Sequence, residues 1–274
     1  MKVEPLTRQI GAVITGIDLA AGLDANCVAE LRALWLEYLV IFIRGQNITP
    51  EQQMAFALQL GEPDTYPFLS GLSGFPQITE VLKKENETVN FGGVWHTDTC
   101  YQPYPPMATM LYAIDIPAAG GDTLFANQYA ALASLSDGLA STLKTLRALS
   151  VAGNKAVAAT RAARIDDSGT GAQADDLHAV HPVVRVHPET AIPALYLSPA
   201  HTIRFSGWSE AESAALLQTL FTIQTQQEFC CRFRWQAGDV ALWDNRCTLH
   251  YPVNDYHGHR RLMHRITLKG DRPI

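Results

Sequence analysis

Two short segments far apart in the chain limit its fold more than anything else in it: Trp95-His96-Thr97-Asp98, and Trp243-Asp244-Asn245-Arg246 leading to His250. On an extended segment, side chains two apart point the same way, so His96 and Asp98 would face one point. His250 completes a set of three if the topology returns the chain to that point. Two histidines and a carboxylate on one face of an octahedral ion are the ligand set of non-heme Fe(II) oxygenases, with the opposite face open. Standing alone, the tripeptide reads equally well as a hydrogen-bonded core histidine followed by a turn aspartate.

A cationic strand follows the distal histidine. In His259-Arg260-Arg261-Leu262-Met263-His264-Arg265-Ile266-Thr267-Leu268-Lys269, the residues Arg261, Met263 and Arg265 alternate with Leu262 and His264. Both guanidinium groups therefore leave one face, their α-carbons roughly 13 Å apart at the usual rise per residue. Arginine is always charged, and its planar fork suits carboxylate, sulfonate or phosphate. Two forks on one face point to two anions or one large one; the bland alternative is a solvated sheet face.

Further segments stand beside these: Gly11-Ala12-Val13-Ile14-Thr15-Gly16-Ile17-Asp18-Leu19, Gly120-Gly121-Asp122-Thr123-Leu124-Phe125, and His181-Pro182-Val183-Val184-Arg185-Val186-His187-Pro188-Glu189-Thr190. With them, the chain resembles the taurine dioxygenase and 2,4-dichlorophenoxyacetate dioxygenase (TauD/TfdA) family of Fe(II)/2-oxoglutarate-dependent enzymes over nearly its whole length. The resemblance implies a mixed α/β fold with a mainly β core, a double-stranded β-helix or jelly roll carrying outer helices. It implies Fe(II) as cofactor, with 2-oxoglutarate and O2 as cosubstrates. Residue by residue, it makes His96, Asp98 and His250 the iron ligands, Arg261 and Thr123 the residues that hold 2-oxoglutarate, and Arg265 the residue that holds the anionic head of the substrate. It also implies a homodimer or homotetramer.

The implied reaction hydroxylates a small anionic organic substrate and releases succinate and CO2. Tyr66, Phe68, Trp95 and Phe205 are aromatic candidates for the substrate pocket, although aromatic residues more often fill a core. In taurine-using relatives a histidine well before the His-x-Asp motif and an asparagine just ahead of it touch the substrate. Here those places hold Tyr66-Pro67 and Gly92. A pocket with fewer donors and more aromatic wall favours an alkyl or aryl sulfonate, an alkyl sulfate or an aryloxy carboxylate over taurine. Two other readings remain: a natural-product tailoring oxygenase of the same chemistry, and a non-catalytic anion-binding protein of the same fold.

The chain has 274 residues, 47% of them hydrophobic, and carries a net charge of −6. That composition suits one elaborated domain over 1–274, and the absence of a basic stripe argues against nucleic-acid binding. No apolar segment reaches the roughly eighteen residues of a membrane span, and the N-terminus lacks a signal-peptide core. The expectation is a cytoplasmic protein without membrane association. Five cysteines without framework spacing fit a reducing compartment, with Cys100 and Cys247 as core fillers near the expected ligands.

Locally, Val28 to Tyr38 has helical periodicity and Leu39 to Ile43 reads as a buried strand. Thr49-Pro50-Glu51-Gln52 opens a capped helix ending at Gly61, and Ser209-Glu210-Ala211-Glu212 opens another running to about Thr225. Cys230 to Trp235 and Val240 to Trp243 read as strands around the Ala237-Gly238-Asp239 turn. Residues 153–180, rich in small and polar types, read as a lid or a solvated connection. His257-Gly258-His259 and the group His178, His181 and His187 offer a rival zinc or manganese site, or simply hydrogen-bonded loop histidines.

Overall fold

The short apolar run after the first helix becomes the middle of a large sheet. In the computed structural model, which describes residues 1–90, 92–154 and 177–274, Val40–Ile43 is buried throughout. Its alternation divides the core. Ile41 and Ile43 pack with Leu31 and Trp35 of the helix Ala25–Tyr38 and with Phe56 and Leu60 of the helix Pro50–Leu60. Val40 and Phe42 face the other way, into a cluster with Phe125, Phe233, Trp243 and Met263. Each large side chain fully buried in this way contributes roughly 1.5–3 kcal/mol.

Among the described residues, eight strands form the main sheet. Their order is Lys2–Pro5, Ala12–Thr15, Val40–Ile43, Val240–Asp244, Ala108–Asp115, Arg261–Leu268 and Pro63–Asp64, with Thr79–Lys83 also paired to Arg261–Leu268. Pairing is antiparallel except between Ala12–Thr15 and Val40–Ile43. A smaller sheet, Cys230–Phe233, Thr123–Asn127 and Thr248–Pro252, faces it across the Phe42, Phe125 and Phe233 cluster. Two largely antiparallel sheets closed on one core, with helices outside the larger, form the jelly roll expected.

Both capping boxes form: Thr49 with Gln52 starts Pro50–Leu60, and Ser209 with Glu212 starts Glu210–Gln224. The first helix begins earlier than periodicity indicates, because Asp24 accepts a hydrogen bond from the Cys27 backbone and acts as N-cap. Leu39 is not in the strand. It closes the helix in the left-handed region at φ 65°, donating its N–H to the Trp35 carbonyl. Residues 155–176 of the expected lid lie outside the described residues, and 178–180 belong to the strand His178–Pro182, paired with Arg147–Val151. No described helix is long and apolar enough to cross a membrane.

Candidate metal centre and anion pocket

His250 lies on Thr248–Pro252, where the paired strand Thr123–Asn127 fixes its direction. The chain reaches it again at an isolated bridge: His96 donates its N–H to the His250 carbonyl (3.0 Å) and His250 donates to His96 (2.8 Å). Beyond the bridge the expected extended run fails. Asp98 enters a turn, with Thr99 at φ 40°, so its carboxylate arrives by a bend rather than by strand alternation. Thr97 anchors that bend, its hydroxyl donating to the Asn245 carbonyl at 2.8 Å.

The result is a buried group in which one ligand atom each of His96, Asp98 and His250 lies within 4.8 Å of the others. His96 Nε2 is 3.8 Å from Asp98 Oδ1. His96 Nδ1 is 2.7 Å from the Val94 carbonyl, which can only accept, so Nδ1 carries a hydrogen and Nε2 is the nitrogen turned toward the centre. Burial and the neighbouring His96 push the His250 pKa well below its ordinary value, leaving a neutral imidazole able to ligate. Its Nδ1 is buried with no hydrogen-bond partner among the described residues.

Asp98 is oriented by a relay. Trp243 Nε1 donates to Asn245 Oδ1 (3.0 Å), Asn245 Nδ2 donates to Thr109 Oγ1 (2.8 Å), and Thr109 donates to Asp98 Oδ2 (2.6 Å). Burial opposes the charged carboxylate. His250, Arg265 and His96, with the Thr109 hydroxyl, outweigh it and hold the pKa below the usual range. The other oxygen is thereby left for an ion. Thr109→Val is expected to weaken divalent-metal affinity by about ten- to hundredfold while the fold survives. Metal titration against a competing chelator checks this, and unchanged affinity would remove the relay from the centre.

Two adjoining cavities open from the triad. The first is bordered by His96, Asp98 and His250 and, further in, by Thr123, Arg261, Lys83, Tyr256 and Asn90. Thr123 accepts from Trp235 Nε1 at 2.9 Å, which leaves its own hydroxyl hydrogen to donate into the cavity. Gly121, at φ 71°, allows the backbone to approach Arg261; a β-carbon there would meet Arg261 Cδ at 3.3 Å. The second cavity is bordered by Tyr66, Gly92, Val94, Tyr101, Ala200 and His201. Arg265 borders both, its Cζ 4.2 Å over the Tyr66 ring and its Nη1 3.9 Å from Asp98 Oδ1. Gly92, at φ 76°, keeps His96 accessible, since a β-carbon would sit 2.9 Å from its Cε1.

Three expected aromatic contacts lie elsewhere. Phe68 is fully buried behind Tyr66, packed with Tyr101. Trp95 packs on Tyr251 at 5.7 Å and borders neither cavity. Phe205 belongs to a third core cluster with Leu217 and Leu220 of the helix Glu210–Gln224. Each satisfies an apolar surface on an outer element, which residue type alone does not distinguish from lining a pocket. The cavities instead contain Lys83 and His201, which sequence reasoning missed. His201 also corrects the expectation of a pocket poorer in polar groups, because it brings an imidazole to the second cavity.

The rival histidines do not assemble. His257 and His259 are exposed in a turn. His187, Asp244 and Cys247 do converge, but Asp244 is committed: Arg246 grips it through Nε (2.8 Å) and Nη2 (2.6 Å), and His187 Nε2 adds a contact at 3.0 Å. Glu189 ties the same Arg246 to Arg32. Burial pushes the Cys100 thiol up to about 12 and Cys247 well above its usual value, so both are inert fillers as expected.

A sequence profile of the taurine catabolism dioxygenase TauD, TfdA family matches residues 2–267. An α-ketoglutarate-dependent (that is, 2-oxoglutarate-dependent) sulfate ester dioxygenase from Pseudomonas putida is 36% identical over 281 residues, covering 100% of this chain and 91% of that protein. An (S)-phenoxypropionate/α-ketoglutarate dioxygenase from Sphingobium herbicidovorans is 33% identical over 278 residues, covering 98% of this chain and 95% of that one. The solved structure of a taurine dioxygenase from Burkholderia xenovorans matches with a TM-score of 0.85 at 36% identity, covering 100% of this chain and 92% of the other. Profile, relatives and fold agree over almost every residue, and the chain belongs to the TauD, TfdA family of Fe(II)- and 2-oxoglutarate-dependent dioxygenases.

Proposed function

We propose that this enzyme oxidises a small organic anion, with sulfate esters the first class to test, and that His96, Asp98 and His250 hold the iron. The observation that carries the reading is the placement of one buried arginine in each direction from the triad: Arg261 in the first cavity and Arg265 at the border with the second. The donor set suits Fe(II), combining two imidazoles with a carboxylate kept charged. Arg261 has a buried Nε with no hydrogen-bond partner among the described residues, the condition of a donor awaiting an anion. Bound iron, with 2-oxoglutarate and O2, supplies the oxidising chemistry and yields succinate and CO2.

The chain's own residues bind and aim. Arg261 and the Thr123 hydroxyl hold the far carboxylate of 2-oxoglutarate. Arg265, braced on Tyr66, takes the anionic head of the substrate, and His201 and Tyr101 border the space for its body. For an alkyl sulfate, hydroxylation at the carbon bearing the ester oxygen gives a product that collapses to an aldehyde and inorganic sulfate. The sulfate ester relative supports this class, and the phenoxypropionate relative supports aryloxy carboxylates as the next. A cytoplasmic location belongs to the same reading.

Incubation with hexyl sulfate is expected to release succinate and sulfate in equal amounts. Succinate formation unaffected by any alkyl sulfate would exclude that class, and phenol release from an aryloxypropionate would favour the second. Arg261→Lys is expected to raise the Michaelis constant for 2-oxoglutarate by about tenfold or more, since a point charge cannot replace the bidentate fork. An unchanged constant would refute the role given to Arg261.

A further inference from the structure

One buried cation in the first cavity has no part in the reaction as described so far. Lys83 ends the strand Thr79–Lys83, and the register sets it directly opposite Arg261. Directly opposed residues project from the same face with β-carbons about 4.5–5.5 Å apart. Both side chains border the same cavity, and the residues are only 2% and 5% exposed. Both are cations, and burial removes the water that would solvate them. Among the described residues, neither has a carboxylate oxygen within 4.0 Å. Lys83 Nζ makes no hydrogen bond there either. The Tyr256 ring, 4.0 Å from Lys83 Nζ, offers a cation–π contact, which does not neutralise two charges. Burial accordingly lowers the Lys83 pKa, against the pull of Glu87 and Asp255.

We propose that Lys83 is a second cation for the remote carboxylate of 2-oxoglutarate, which would lie between the Lys83 ammonium and the Arg261 guanidinium. The inference rests on the reading of Arg261 given above. It makes Lys83 a specificity residue: the pair favours a keto acid with a distant carboxylate and gives nothing to one without. It also gives the Lys83 ammonium, which has no carboxylate within reach among the described residues, an anionic partner when the cosubstrate binds.

The test is an anaerobic titration of the iron-loaded enzyme with 2-oxoglutarate and, separately, with pyruvate, followed by the absorption band that a keto acid forms with the iron. Lys83→Met is expected to weaken 2-oxoglutarate by about tenfold or more and leave pyruvate unchanged. Lys83→Arg, which keeps the charge, should retain most of the affinity. Without cosubstrate, Lys83→Met should melt no lower than the native chain, because a buried ammonium without a hydrogen bond gives way to an apolar side chain. Native affinity for 2-oxoglutarate in Lys83→Met, or equal weakening of both keto acids, would overturn the proposal. Arg261→Gln separates the two ideas. If it loses 2-oxoglutarate while Lys83→Met does not, only Lys83 falls; if neither variant loses it, the reading of Arg261 fails as well.

Discussion

Asp98→Ala is expected to lower Fe(II) affinity by more than about a hundredfold, beyond the ten- to hundredfold range for loss of an outer hydrogen-bond partner. The change removes the only carboxylate in the group of three. It leaves two imidazoles without a carboxylate partner beside a buried Arg265, an environment that repels a dication. Thr109 and Asn245 lose the acceptor at the end of their relay but still bond to each other, so the turn should hold. The thermal midpoint of the metal-free variant should therefore stay close to that of the native protein while iron binding and substrate-dependent succinate formation disappear. Native iron affinity in this variant would place the metal elsewhere.

Asp244→Ala is expected to cost about 3–5 kcal/mol of stability, because it leaves the buried Arg246 without the carboxylate that holds two of its nitrogens. For a chain of this size that corresponds to a fall of roughly 6 to 20 °C in Tm. The damage should reach the metal centre, since the substitution also removes the acceptor of the Arg246 backbone N–H (2.9 Å), in the turn that leads to the strand bearing His250. Burial opposes charge on Asp244, but Arg246 and His187 overcome it and hold the carboxyl well below the usual range. A depressed folded-state pKa stabilises at pH above the unfolded value of about 3.9, and that stabilisation is lost as pH falls further toward the folded value. The stability gap between the native chain and Asp244→Asn should thus be full near neutrality and narrow in acid. Denaturant midpoints across pH check both statements, and a variant as stable as the native chain would make the Arg246 cluster dispensable.

Period-two alternation was enough to place Arg261 and Arg265 on one face, with Ile266 and Leu268 on the helix-covered side. Short-range capping chemistry likewise made two helix starts readable. What sequence could not supply was long-range register. Lys83 matters because it is paired with Arg261, and Thr109 because its strand brings it to Asp98. Neither fact leaves a local trace. His201 is similar, arriving from beyond a strand with no motif around it. Phe205 failed for the complementary reason: an aromatic residue in a short strand can face either an outer helix or a pocket, and here the helix Glu210–Gln224 claims it. The Asp98 turn shows that a proposed set of ligands can be brought together by a backbone different from the one their spacing suggests.

The metal centre is tested most directly by an anaerobic optical titration of the metal-free native protein with Fe(II) and then 2-oxoglutarate. A visible charge-transfer band that requires both additions, and is missing in His96→Ala, is the expected result. Absence of the band with both present, in a chain that is folded by circular dichroism, would contradict an iron and 2-oxoglutarate site at His96, Asp98 and His250.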